Sequence, residues 1–309
     1  QSIISKIFRR NEAERLSSMK LATFTHDGAT RIGVVVEDSI VDLAAAATDL
    51  PREMIAFLAA GGRAIDRAAG AAKNSSHRIK LASVKLEAPI ARPPEFLAIG
   101  LNYADHVEET KMKRPEFPMF FNKQSSSVTG PFDPIHLPRV SSALDYEGEL
   151  GFVIGRRCRH VPRDRAHEVI AGYVIVNDVS VRDWQRRAPT MTLGKSFDTH
   201  APFGPWIITA DELGDPHKLE LRTFVNSEQR QHSNTKNLIF DCFAQVETLS
   251  TVFTLMPGTV VSTGTPGGVA AAMNPPKWLK VGDVVRIEID GIGKIENKVI
   301  AEPASTDLI

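Results

Sequence analysis

The sequence is short of cysteine, of charge imbalance and of long apolar runs, and each shortage removes a class of protein. Only two cysteines occur, Cys158 and Cys242, in no CxxC pair. They supply neither a disulfide framework nor a cysteine-built zinc site, which points to a reducing, cytoplasmic setting. Lys+Arg and Asp+Glu each number 37 in 309 residues, so the formal net charge is zero. That balance argues against a strongly basic nucleic-acid binder. No apolar stretch approaches the roughly 18 to 20 residues of a membrane span. Trp184, Trp206 and Trp278 are too scattered for a base-stacking platform. The chain also lacks a GxxxxGK[ST] loop, a GxGxxG opening a helix and a GxSxG elbow. Nucleotide binding and serine hydrolysis of the α/β type are therefore disfavoured.

What is present is an ordinary globular composition, 42% apolar and 24% charged, long enough for two domains or one domain and a smaller cap. Residues 1–18 carry Ile3, Ile4, Ile7 and Phe8 at helical spacing; Glu12 and Glu14 argue against a transit signal, leaving a helix or an extension outside the functional reading. Residues 19–90 read as a small N-terminal domain. A hairpin and a third strand occupy 20–43, with a turn at Asp27-Gly28, and an Ala-rich helical stretch over 51–73 breaks at Gly61-Gly62. A Pro-rich joint at 88–95 leads to residues 96–303, which read mainly as short strands. The clearest are Glu147–Ile154, Gly172–Asn177, Phe203–Ile208, Glu220–Val225 and Val284–Ile289. Helices are expected over 104–110, 163–170 and 237–252. The fold class is α+β, dominated by strands.

Three segments carry chemistry. In Asp145-Tyr-Glu147-Gly-Glu149-Leu, the two glutamates stand two apart and share one face of a strand. Asp178 ends a second apolar strand, and Arg182, Gln185 and Lys195 follow it. Three carboxylates without Cys or His suit a hard divalent cation, with Lys195 balancing charge; an ExE pair alone better suits a solvated strand face, and Asp178 with Lys195 brings the two readings level. In the second segment, His106 and Glu109 lie three apart and share a helix face. They can form an oriented general base or an incidental surface pair. The residues after them, Thr110–Pro118, have two prolines and three basic side chains, as a lid would. Third, Val261-Ser-Thr-Gly-Thr265-Pro-Gly-Gly268 is a strand entering a Gly-rich turn, able to hold an anion or simply to reverse the chain. Cys158, among Arg156, Arg157 and Arg159, is either an activated thiol or part of a solvated basic loop.

Together, Gly100-Leu-Asn-Tyr-Ala-Asp-His106, Glu147-Gly-Glu149-Leu, Asn177–Gln185, Gly194-Lys195-Ser-Phe197 and Thr263-Gly-Thr-Pro266 resemble the fumarylacetoacetate hydrolase family, in the family's order and over about residues 96–301. The resemblance implies a mixed β-sandwich roll with a small N-terminal cap domain, usually in a homodimer. It implies one Mg²⁺ or Mn²⁺ per subunit held by Glu147, Glu149 and Asp178, with Lys195 beside it. Gln185, Thr265 and Arg182 would bind a small 2-oxo acid, and His106 with Glu109 would activate water from a lid segment. The implied reaction is cleavage of the C3–C4 bond of a 2,4-dioxo acid of the acylpyruvate or fumarylpyruvate type, giving pyruvate and a carboxylic acid. Oxaloacetate decarboxylation and isomerase or hydratase chemistry on 2-oxo-dienoates pass through a similar enolate and stay open, because fold and metal site do not separate them. From a different class, a non-catalytic dicarboxylate binder would not need His106 and Glu109. Neither nucleic acid nor membrane enters as a partner.

Overall fold

The computed structural model describes residues 18–306, so the reading of residues 1–17 as a helix or extension lies outside the described residues. β1 (Lys20–His26) and β2 (Ala29–Val36) form the expected hairpin. Asp27 and Gly28 both have positive φ, 51° and 74°, as a two-residue hairpin turn requires. β3 (Ser39–Asp42) and β4 (Arg78–Lys80) extend the hairpin, and α1 (Met54–Ala59) and α2 (Gly62–Asn74) meet at the expected Gly break.

Beyond the Pro-rich joint come β5 (Phe96–Gly100), α3 (Ala104–Thr110), β6 (Met119–Lys123) and β7 (Ile135–Leu137). Next are β8 (Gly148–Ile154), β9 (Ile170–Asn177), α4 (Arg182–Gln185), α5 (Thr192–Lys195) and β10 (Ala201–Thr209). The chain continues with β11 (Glu220–Val225), β12 (Glu228–Asn234), α6 (Cys242–Val252) and β13 (Val260–Ser262). It closes with β14 (Val284–Ile289) and β15 (Gly293–Ala301).

A 12-stranded mixed sheet runs β4-β3-β2-β1-β10-β9-β8-β13-β5-β6, with two short strands at its sides. A five-stranded sheet runs β12-β11-β14-β15-β7. The N-terminal hairpin joins the large sheet through Lys20↔Ile208 and Leu21↔Ile207. Strand alternation then sorts the core. Leu150, Phe152 and Ile154 of β8 pack with Leu221, Val225, Val285 and Ile287 between the sheets. Val153, Val174 and Val176 pack with Leu21, Phe57, Leu58 and Ala68 on the other side. With both faces covered, all seven residues of β8 are buried, and after Glu149 the strand reads as a continuous apolar run. Each such Val, Leu, Ile or Phe contributes about 1.5–3 kcal/mol over exposure, which fixes the strand ends where the carboxylates emerge.

Some elements differ from the sequence reading. α6 begins at Cys242 and not near 237, because the Asp241 carboxylate caps it, accepting from the Ala244 N–H at 2.9 Å. Residues 163–168 are 3₁₀ turns opened by Pro162, since Ile170 already belongs to β9. β12 was not foreseen, having no β-branched or large apolar residue in EQRQHSN.

Candidate active site

β8 and β9 are antiparallel, with Gly148 opposite Asn177, so the start of one strand meets the end of the other. Glu147 stands just before β8, Glu149 is its second residue, and Asp178 follows β9. Their oxygens lie within 4.8 Å of one another, and all three side chains are buried. Asp178 N–H donates to the Glu147 carbonyl at 2.9 Å, and Glu147 N–H donates to Asn177 Oδ1 at 3.1 Å. Between the glutamates, a Cβ on Gly148 would sit 2.2 Å from Thr223 Oγ1, so glycine lets β11 close over this strand.

Every carboxylate has fixed partners. Lys195 Nζ donates to Glu147 Oε2 and Asp178 Oδ2, both at 2.7 Å, and Lys123 Nζ donates to Asp178 Oδ1 at 2.6 Å. Arg182 donates to Asp145 from Nε at 2.8 Å and to Gln185 from Nη1 at 2.9 Å, and its Nη2 pairs with Glu147 at 2.6 Å. Glu149 Oε2 accepts from the Ser262 hydroxyl and, at 2.8 Å, from Gly264 N–H. Four buried carboxylates (Asp145, Glu147, Glu149, Asp178) thus face three buried cations (Lys123, Lys195, Arg182). Fully ionised, the cluster carries one negative charge in excess.

That excess is unevenly felt. Burial opposes ionisation of Glu147, but Lys195 and Arg182 outweigh it and bring its carboxyl down to about 2. Burial, reinforced by Asp178 and Glu147, holds the Glu149 carboxyl well above the usual range despite the Ser262 hydrogen bond. Burial also opposes the charge of Lys195, yet Asp178 and Glu147 prevail and its pKa is raised. At Lys123 burial wins and the pKa is lowered. An all-oxygen donor set with one carboxyl forced toward its neutral form fits a hard divalent cation, which would relieve the repulsion at Glu149. Glu147, Glu149 and Asp178 are the residues that could hold it.

His106 comes to this place from α3. Its Nδ1 lies 3.4 Å from Glu109 Oε2, and both Glu109 oxygens accept from Gly268 N–H at 3.0 Å. A cavity of about 470 Å³ brings six of the expected residues together: His106, Glu147, Arg182, Gln185, Lys195 and Thr265. Glu149 and Asp178 stand behind Glu147 and Lys195. The Gly-rich turn does hold anions, but they are the protein's own carboxylates, Glu149 and Glu109. The Thr265 hydroxyl donates to the Gly148 carbonyl at 3.0 Å and accepts from Gln231 Nε2 at 2.8 Å. Arg182, expected to bind substrate, also anchors Glu147. Cys158 is no activated thiol: burial pushes its pKa up, and its backbone pairs with Leu255.

Sequence reasoning missed Lys123, Asp145, Gln231 and Ser262 as parts of the site. Asp145 additionally accepts from the N–H groups of Ala270 and Ala271, at 2.8 and 3.0 Å, tying the turn after Gly268 to Arg182. The available signals were a lysine closing an apolar strand and an aspartate two residues before the ExE pair.

Comparison with known proteins bears directly on this arrangement. The family model described as fumarylacetoacetate (FAA) hydrolase C-terminal matches residues 95–300. The chain is 41% identical over 289 residues to "Oxaloacetate tautomerase fahd2, mitochondrial" of Xenopus laevis, covering 92% of this chain and 91% of that protein. Among solved structures, fumarylacetoacetate hydrolase from Exiguobacterium antarcticum superposes with a TM-score of 0.79 at 35% identity, covering 92% of this chain and all of that one. Maleylpyruvate hydrolase from Sphingobium sp. SYK-6, solved with manganese(II) and pyruvate, gives 0.77 at 34% identity with the same coverage.

Proposed function

The chain belongs to the fumarylacetoacetate hydrolase family, and on that premise we propose that it is a divalent-metal-dependent enzyme moving a proton at C3 of a 2-oxo acid, a tautomerase of oxaloacetate or a close analogue. The observation that carries this reading is His106, paired with Glu109, opening on the same cavity as Glu147 and Lys195. A Mg²⁺ or Mn²⁺ ion on Glu147, Glu149 and Asp178 would polarise the 2-oxo group and stabilise charge on its oxygen. His106 carries the proton between C3 and the 2-oxygen, taking it from C3 as the enol forms and, in the reverse direction, taking the enol proton from the oxygen and delivering it to C3, with Glu109 orienting the ring through Nδ1. Glu109 is in turn fixed by Gly268 N–H. Lys195 stays an ammonium. Two of its protons are engaged by Glu147 and Asp178, and because Lys195 lines the cavity the remaining one would be available to the enolate oxygen.

A second reading, cleavage of the C3–C4 bond of an acylpyruvate, rests on the same His106–Glu109 pair used to activate water. The likeness to maleylpyruvate hydrolase supports it. The two readings separate by products. Enol oxaloacetate and acetylpyruvate are incubated with the Mn²⁺-loaded protein, following enol absorbance and product NMR. Accelerated formation of keto-oxaloacetate, with no pyruvate, is expected. Pyruvate plus acetate from acetylpyruvate would install the hydrolytic reading, pyruvate plus CO₂ from oxaloacetate a decarboxylase, and no acceleration of either substrate's conversion over the protein-free Mn²⁺ control would overturn all three.

A further inference from the structure

On α4, Arg182 and Gln185 share a helical face with Arg186, one residue past the helix, at i, i+3 and i+4 spacing, and all three line the cavity. The turn is held firmly. Arg186 N–H donates to the Arg182 carbonyl, and α5 packs so close that a Cβ on Gly194 would lie 2.2 Å from the Gln185 nitrogen.

The cations of this region are otherwise committed. Arg182 is bound by Asp145, Glu147 and Gln185, and Lys195 by Glu147 and Asp178. Arg187, the next residue, lies over the Trp184 ring at 3.7 Å. Arg186 differs from all of them: it is exposed and lines the cavity, and its guanidinium has no hydrogen-bond or ion-pair partner among the described residues. Met112, Met119 and Met191 give the cavity an apolar part of its wall. The buried cluster has four carboxylates and three cations, so a divalent ion would leave it with one positive charge, enough for one carboxylate. A second carboxylate needs a further cation.

We infer that Arg186 is a specificity-determining residue that receives the distal carboxylate of the substrate, making this a site for dicarboxylic 2-oxo acids. The inference deepens the proposed function and rests on its 2-oxo acid reading. A guanidinium with no donor engaged among the described residues offers the planar fork that a carboxylate accepts.

The test compares ligands of equal length with and without the distal charge. Binding of 2-oxoglutarate and 2-oxopentanoate to the Mn²⁺-loaded protein is measured by calorimetry, for wild type, Arg186→Gln, Arg186→Lys and Arg187→Gln. Wild type is expected to prefer 2-oxoglutarate by about tenfold or more, the range for a hydrogen bond to a charged group. Arg186→Gln should abolish that preference, Arg186→Lys should keep part of it, and Arg187→Gln should keep it whole. With oxaloacetate as substrate, Arg186→Gln should raise KM by about tenfold or more and change kcat less. An unchanged preference in Arg186→Gln, or none in wild type, would overturn the inference. If the preference depends on Arg186 but no 2-oxo acid is turned over, the proposed reaction fails and the binding role stands.

Discussion

The carboxylate centre and the His106–Glu109 arm meet in one cavity but are built in opposite ways. The centre grows from β8 and β9, buried on both faces, and each of its carboxylates is held by at least two donors or cations. The arm comes from α3, one seven-residue helix, with a 3.4 Å contact between its two functional side chains and a single backbone N–H securing Glu109. The comparison teaches that charge is organised by the sheets, while the base assigned to proton transfer in the proposed function stands on a short element outside them. Changes at the centre should therefore register in folding and in function. Changes on the arm should register in rate alone.

The largest effect is expected from Glu147→Ala. It removes the carboxylate shared by Lys195 and Arg182, leaving each with one remaining carboxylate partner, so turnover should be abolished and Mn²⁺ binding lost. Stability should fall by about 3–5 kcal/mol, as when a buried ion pair loses one member. Chemical denaturation, calorimetry and a rate assay check all three, and a variant as stable and active as wild type would break the comparison. His106→Asn should lower kcat by about 10²–10⁴-fold, the usual worth of a general acid–base. Its unfolding midpoint and Mn²⁺ affinity should stay close to wild type; a large loss of stability would show the arm to be part of the core. Glu109→Gln, which keeps an acceptor for Gly268 N–H, should cost on the order of tenfold in kcat, since it orients the base without replacing it.

How much of this was legible in the sequence follows the same division. Strand alternation paired Glu147 with Glu149, Asp178 entered as the carboxylate ending a second apolar strand, and the resemblance carried by the ordered motifs joined the three and gave Lys195 and His106 their expected roles. Lys123 could not be placed. It lies 55 residues from Asp178, and only the pairing of β6 with β5, and of β5 with β13, brings its strand into this sheet. Gln231 was hidden because β12 is polar throughout, yet it clamps Thr265 and, through Oε1, the Gly148 N–H at 2.9 Å. The turn at 262–268 left open an anion-holding role or a simple chain reversal, and in the fold the Ser262 hydroxyl and the Gly264 and Gly268 N–H groups meet carboxylates. That the anions are Glu149 and Glu109 depends on tertiary packing, which spacing does not encode.

The smallest expected effect sharpens the electrostatic side. In the metal-free protein the Glu149 carboxyl is held above its ordinary value of 4.5. The folded state therefore binds the extra proton. Its contribution to stability is present below that ordinary value and is lost as pH rises toward the folded pKa, by up to about 1.4 kcal/mol per pH unit. A divalent ion displaces that proton, so Mn²⁺ affinity should rise with pH, and calorimetry in buffers of different ionisation enthalpy should detect proton release on binding. Pushing β11 away from the strand, as Gly148→Ala would, should weaken Mn²⁺ binding while leaving the His106–Glu109 contact in place. Mn²⁺ titration of that variant measures it.

The most direct measurement is an anomalous diffraction map of crystals grown with Mn²⁺. One manganese peak enclosed by Glu147, Glu149 and Asp178, with His106 across the same cavity, is expected. Manganese bound elsewhere, with Lys195 still bridging Glu147 and Asp178 and no peak among the three carboxylates, would contradict the assignment of this centre.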